Sequence, residues 1–169
     1  MTESSRLHGE RLFPLGAIAG DVIGSVHEHV GTKTTDFALF TPASRFTDDS
    51  VLTVAVAEVL ATGGSYTDSL QRWAQAYPRA GYGGAFRKWM WSEAAAPYGS
   101  FGNGSGMRAS PVGWARTSLE EVLDEARRSA EVTHDHPEGI KGAQAVAAAV
   151  FLARTGSSKD EVRAAITTR

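Results

Sequence analysis

FTDDSVLTVAVAEVLATGG, residues 46–64, is the stretch that decides the fold class. Thr47 or Asp48 stands where a helix cap belongs, because a short side chain with an oxygen can take a free N–H of the first turn. Val51, Leu52, Val54, Ala55, Val59 and Leu60 then recur at helical spacing and form a broad apolar face. Gly63-Gly64 ends the segment, since glycine tolerates the left-handed backbone that closes helices.

The same grammar recurs in both directions. Ser118 and Glu121 form a capping box ahead of Leu123, Ala126 and Ala130. Pro137 and Glu138 open a helix carrying Ile140, Ala143, Val146, Ala147, Val150 and Phe151, with Asp135 or His136 able to cap it and Gly156 ending it. Ser158 and Glu161 form a second capping box before Val162, Ala165 and Ile166. Thr67 caps a helix through Leu70, Trp73, Ala74 and Tyr77 that stops near Pro78, and a short helix is expected around Phe86 to Glu93. Another opens at Met107, with Pro111 in its first turns.

Toward the N-terminus, residues 12–25 read LFPLGAIAGDVIGS. Gly16, Gly20 and Gly24 share one helix face, and Ala17, Ile18, Val22 and Ile23 predict a buried helix. Each glycine costs about 1 kcal/mol relative to alanine in a helix, so a close neighbour on that face is expected to offset the cost. Residues 27–44 are polar and read as a long loop. No alternating strand pattern occurs. The expected architecture is all-α, with a flexible N-terminus over 1–10 and one helical domain over 11–169.

Composition narrows the function classes. With 17 basic and 19 acidic side chains, the formal net charge is -2, and no positive excess points to nucleic acid or an anionic membrane. Zero cysteines exclude disulfide scaffolds, thiolate zinc sites and cysteine nucleophiles. The longest run of small apolar residues, Ala143 to Ala153, is too short to span a bilayer, and the first residues lack the apolar core of a signal peptide. A soluble, cytoplasmic protein is expected.

Four groups of residues can carry chemistry. Thr47, Asp48 and Asp49 place a hydroxyl and two carboxylates where loop meets helix, a set that suits either helix capping or a hard cation such as Mg²⁺. Gly102, Asn103, Gly104, Ser105, Gly106 and Met107 form a glycine-rich segment whose backbone can approach a phosphate closely, or an ordinary turn. His134 lies in THDHPEG and can contact a ligand; a zinc site there lacks the helical spacing of two histidines. Asp21, in an apolar helix, needs partners, and Glu28 at the start of the long loop can serve as a general base or stand as a solvated acid.

GAIAGDVIGS followed by Glu28, then FTDDS, then YGSFGNGSGMRASPVG, then THDHPEGIKGAQA resembles the ADP-ribosylglycohydrolase family, which includes the dinitrogenase-reductase-activating glycohydrolase. The resemblance runs from about Leu15 to at least Ala153. It implies an all-α fold and hydrolysis of the bond between ADP-ribose and a protein side chain or other acceptor, assisted by two Mg²⁺ (or Mn²⁺) ions. It also implies metal ligation by Thr47, Asp48 and Asp49, catalytic work for Asp48, Asp49 and Glu28, and a diphosphate loop from Gly102 to Met107. His134 would line the substrate cleft, and Asp21 would sit near the metals. Partners would be ADP-ribose or an ADP-ribosylated protein.

One departure stands out. The family's second group of metal ligands comes from an aspartate-rich motif near the C-terminus, and here the only aspartate after Asp135 is Asp160. Only one side of a two-ion site is expected, in a chain that lacks the family's C-terminal part, with a second subunit or fragment completing the site. Two functions follow: a metal-dependent ADP-ribosyl hydrolase, or a catalytically inactive ADP-ribose-binding or structural relative.

Overall fold

The computed structural model describes residues 14–28 and 30–167; the flexible N-terminus expected over 1–10 lies outside them. The domain is all-α, with no β-sheet among the described residues. The helices are α1 (Leu15–Gly24), α2 (Asp48–Thr62), α3 (Tyr66–Ala76), α4 (Gly84–Trp89), α5 (Ser110–Ala115), α6 (Leu119–Glu131), α7 (Pro137–Arg154) and α8 (Lys159–Thr167). None of the described helices is long and apolar enough to cross a membrane.

Caps set most of the boundaries. Thr47 caps α2, its hydroxyl accepting from the Asp49 N–H, and Gly63 ends the helix at φ 81°. Ser118 and Glu121 form the reciprocal box that opens α6. His136 caps α7 through the Glu138 N–H, while Asp135 instead accepts from the Gly99 N–H. Two local expectations are corrected. Ser65, not Thr67, caps α3 through the Asp68 N–H. No helix opens at Met107: residues 103–108 are turns, and α5 begins at Ser110 with Pro111 in its first turn.

The core forms where α2, α5, α6 and α7 meet, with α3 and α4 closing one side. Leu52 and Val56 of α2, Leu70 of α3, Val112 of α5, Val122 and Ala126 of α6, and Ala143 and Ala147 of α7 are all buried. Small residues let α5 and α7 come very close. A Cβ on Gly113 would lie 2.5 Å from the Ala147 carbonyl oxygen, so only glycine fits there. One charge sits inside this packing. Glu125 is 5% exposed and accepts from the Tyr66 hydroxyl at 2.8 Å, from Arg116 and from Arg128. Glu125→Gln removes the charge but keeps the shape, and should cost about 2 kcal/mol in urea unfolding.

The buried helix expected at residues 12–25 is corrected. No residue of α1 is buried, and among the described residues nothing lies within 4 Å of where a Cβ on Gly16, Gly20 or Gly24 would stand. Its side chains are at most partly buried, and a set of polar contacts anchors it. Asp21 accepts from the Thr47 N–H at 2.8 Å, the Ser50 N–H at 3.0 Å and both hydroxyls, so it pins α1 to the first turn of α2.

Candidate functional site

The start of α2, residues 81–83 with the first turn of α4, the glycine-rich segment and His134 ahead of α7 converge on a cavity of about 440 Å³. Glu28, Asp48 and Asp49 line one part, and Gly102, Asn103, Gly104, Met107, Arg108 and His134 line another. Eight of the residues expected from sequence therefore share one hollow. Ser105 and Gly106 are buried beside it, and Thr47 faces a neighbouring cavity of about 400 Å³ that also touches Glu28.

The glycine-rich segment is fixed from behind. The Ser105 hydroxyl donates to the Gly139 carbonyl of α7 at 2.8 Å, and the Met107 N–H donates to the Asn103 carbonyl at 3.0 Å. Gly104 touches the imidazole face. A Cβ there would stand 3.0 Å from His134 Cε1 and 3.1 Å from Nε2, so a side chain would have to displace the ring or fill the hollow.

A hydrogen-bond chain orients His134. Arg108 Nη2 donates to the Thr133 hydroxyl at 2.9 Å, and that oxygen lies 2.8 Å from His134 Nδ1. That contact fixes the plane of the imidazole and turns its Cε1–Nε2 edge toward Gly104. Burial, seconded by the Arg108 charge, pulls the His134 pKa down to about 4, and Asp135 opposes this weakly. His134 is thus a neutral imidazole at neutral pH.

This has a sign-defined pH consequence. A histidine whose folded pKa lies below its unfolded 6.5 stabilises the fold fully above that value, and the contribution is lost as pH falls toward 4. Between pH 7 and 5 the loss from His134 is about 2 kcal/mol. Asp48 acts oppositely: its raised pKa makes the folded state gain protons and stability as pH falls through about 6. His134→Gln should therefore flatten the acid limb of the stability profile, measured by urea unfolding across this range.

The acidic end of the cavity is crowded. Burial first, then the neighbouring Asp49 carboxylate, pushes Asp48 up to about 6. Burial and Asp21 push Asp49 up as well. Glu28 follows α1 in an exposed turn braced by His27 Nδ1 against the Thr32 hydroxyl at 2.9 Å.

The expected magnesium or manganese site is overturned. Among the described residues no group of three or more His, Cys, Asp or Glu side chains stands together so as to hold a metal ion. The donor set explains why. Both Asp21 oxygens already accept hydrogen bonds from Thr47 and Ser50. The Thr47 hydroxyl donates to Asp21 and accepts from the Asp49 N–H. Asp48 and Asp49 remain, with the exposed Glu28 in the same lining but not grouped with them about one point, and they fall well short of the six or so oxygens that each hard cation takes.

Sequence reasoning missed two contributors. Gly81, Gly83, Gly84 and Phe86 supply a wall, and the signal was the glycine-rich GYGG at 81–84. The Asp48 N–H donates to the Ala80 carbonyl at 2.8 Å, tying this wall to the acids. Arg108, quoted within the motif but given no role, is fully buried at the cavity wall.

The chain was compared with known proteins. The ADP-ribosylglycohydrolase family profile matches residues 13–168. ADP-ribosylhydrolase ARH3 of Mus musculus is 32% identical over 86% of this chain and 49% of its own length. The Homo sapiens protein of that name is also 32% identical, over 86% of this chain and 50% of its own length. ARH3 of Danio rerio is 30% identical over 85% of the chain and 47% of its own length. The chain thus spans about half the length of the curated relatives it matches. With its helical fold, its motifs and nearly its whole length matched, the chain belongs to the ADP-ribosylglycohydrolase family.

Proposed function

We propose that the cavity binds the ADP-ribose moiety, free or carried by a modified protein, and that the chain acts as an ADP-ribose-binding member of its family without metal-dependent hydrolysis. The observation that carries this is the two-sided lining of one hollow. The glycine-rich backbone at Asn103 and Gly104 and the imidazole of His134 suit phosphate oxygens, while Asp48, Asp49 and Glu28 suit ribose hydroxyls as hydrogen-bond acceptors. Tyr98, half-buried in the same lining, offers a ring for stacking.

Family membership supports the ligand. The donor set argues against two-ion chemistry, because Asp21 and Thr47 are engaged with each other and the first turn of α2, and the carboxylates left do not gather into a metal-holding group. Hydrolysis needs the anomeric carbon activated and a water oriented. Here Glu28 is exposed, and the acids near it are held by helix geometry.

The test uses a fluorescent ADP-ribosylated peptide. Fluorescence anisotropy should show saturable binding, and mass spectrometry should show the modification intact after prolonged incubation. Release of ADP-ribose above the protein-free control would instead assign hydrolysis to this chain.

A further inference from the structure

Arg108 is the most anomalous side chain in the molecule. It is 0% exposed, and no carboxylate among the described residues pairs with it. Nη2 donates to the Ser129 carbonyl at 3.0 Å and to the Thr133 hydroxyl at 2.9 Å. Nε and Nη1 are buried and have no partner. A guanidinium with two idle donors and no counter-charge is costly: desolvating a charge in a protein costs several kcal/mol unless an opposite charge repays it. The groups whose charge it senses are the phenols of Tyr98 and Tyr66, which burial keeps neutral.

The position of this cation matters. It follows Met107 directly, so it closes the glycine-rich segment, and it lines the cavity together with Gly102, Asn103, Gly104 and His134. The acids Asp48, Asp49 and Glu28 lie elsewhere in the lining, on α2 and on the turn after α1. No ion pair joins Arg108 to any of them. The hollow therefore has an uncompensated positive wall and a separate acidic one.

We propose that Arg108 is the counter-charge of an anion site: a diphosphate seated on the Gly102–Gly106 backbone is balanced by the guanidinium beneath it, which engages the anion through its idle Nε and Nη1. The same residue positions His134, because its bond to the Thr133 hydroxyl fixes the oxygen that holds Nδ1. One side chain thus supplies charge to the anion and holds the imidazole beside it in place. The inference rests on the ADP-ribose reading for its ligand class, a diphosphate ester, but the anion site can be tested without the nucleoside.

The experiment titrates inorganic pyrophosphate into the full chain while following the arginine Nε–Hε resonances by ¹⁵N NMR, with Arg108 assigned through its own side-chain carbons. The Arg108 signal should move and saturate with pyrophosphate at millimolar concentration. Calorimetry should show at least a tenfold loss of pyrophosphate affinity in Arg108→Met and a smaller loss in Arg108→Lys, which keeps charge but loses the fork. Adenosine, which lacks phosphate, should bind equally to all three.

An Arg108 resonance that stays fixed through the titration overturns the proposal, as does unchanged pyrophosphate affinity in Arg108→Met. If that variant fails to fold, the wild-type resonance alone decides. Pyrophosphate that moves Arg108 while ADP-ribose fails to bind keeps the anion site and refutes the nucleotide reading. ADP-ribose that binds without moving Arg108 does the reverse.

Discussion

Asp21→Ala is expected to lower unfolding free energy by about 3 kcal/mol and to loosen the acidic end of the cavity. Asp21 accepts two backbone N–H groups and two hydroxyls across 26 and 29 residues of sequence. Hydrogen bonds to a charged group contribute about 1.5–3 kcal/mol each, and a shared acceptor makes the four less than additive. Helix α1 has no buried residue to hold it once this anchor is gone. Urea unfolding measures the loss. Amide exchange at Thr47 and Ser50 should accelerate in step, whereas exchange in α6 and α7 should follow only the global change. Asp21→Asn, which keeps acceptor geometry on one oxygen, should lose roughly half as much. A loss below about 0.5 kcal/mol for the alanine variant would show that α1 is held by something other than Asp21.

Gly104→Val is expected to weaken ADP-ribose binding about 100-fold, near 2.7 kcal/mol, with little effect on stability. The first valine carbon would stand 3.0 Å from the His134 ring, and the branches would occupy the hollow. Gly104 has no positive φ, so its backbone accepts an L side chain without strain, and the cost falls on the site rather than the fold. Calorimetry measures affinity, and thermal unfolding serves as the control. Affinity within threefold of wild type would move the ligand away from this segment.

The helices were largely legible because their ends are written in short side chains. Gly63, the Ser118–Glu121 box and the Ser158–Glu161 pair all do in three dimensions what their spacing announces. Helix α1 was misread for a physical reason. Its apolar residues show that the segment is helical, but nothing local says whether a neighbour covers Gly16, Gly20 and Gly24. At α3, Ser65 and Thr67 are both competent caps, and only the folded backbone chooses between them.

The site was legible as a list of residues and illegible as a set of roles. Glu28, Asp48, Asp49, His134 and the glycine-rich segment do share a cavity. A carboxylate near a metal and one that holds a helix end look the same in sequence, and only the folded chain shows Asp21 accepting from the N–H groups of Thr47 and Ser50. Arg108 was hidden because arginine is an ordinarily exposed residue, and no local pattern signals that one will be buried without a counter-charge.

The most direct test of the account is a calorimetric titration of ADP-ribose into the purified chain with a metal chelator present. The account predicts saturable binding at one equivalent per chain, unaffected by the chelator and lost in Gly104→Val. Absence of binding under these conditions, or binding that Gly104→Val leaves intact, would contradict it.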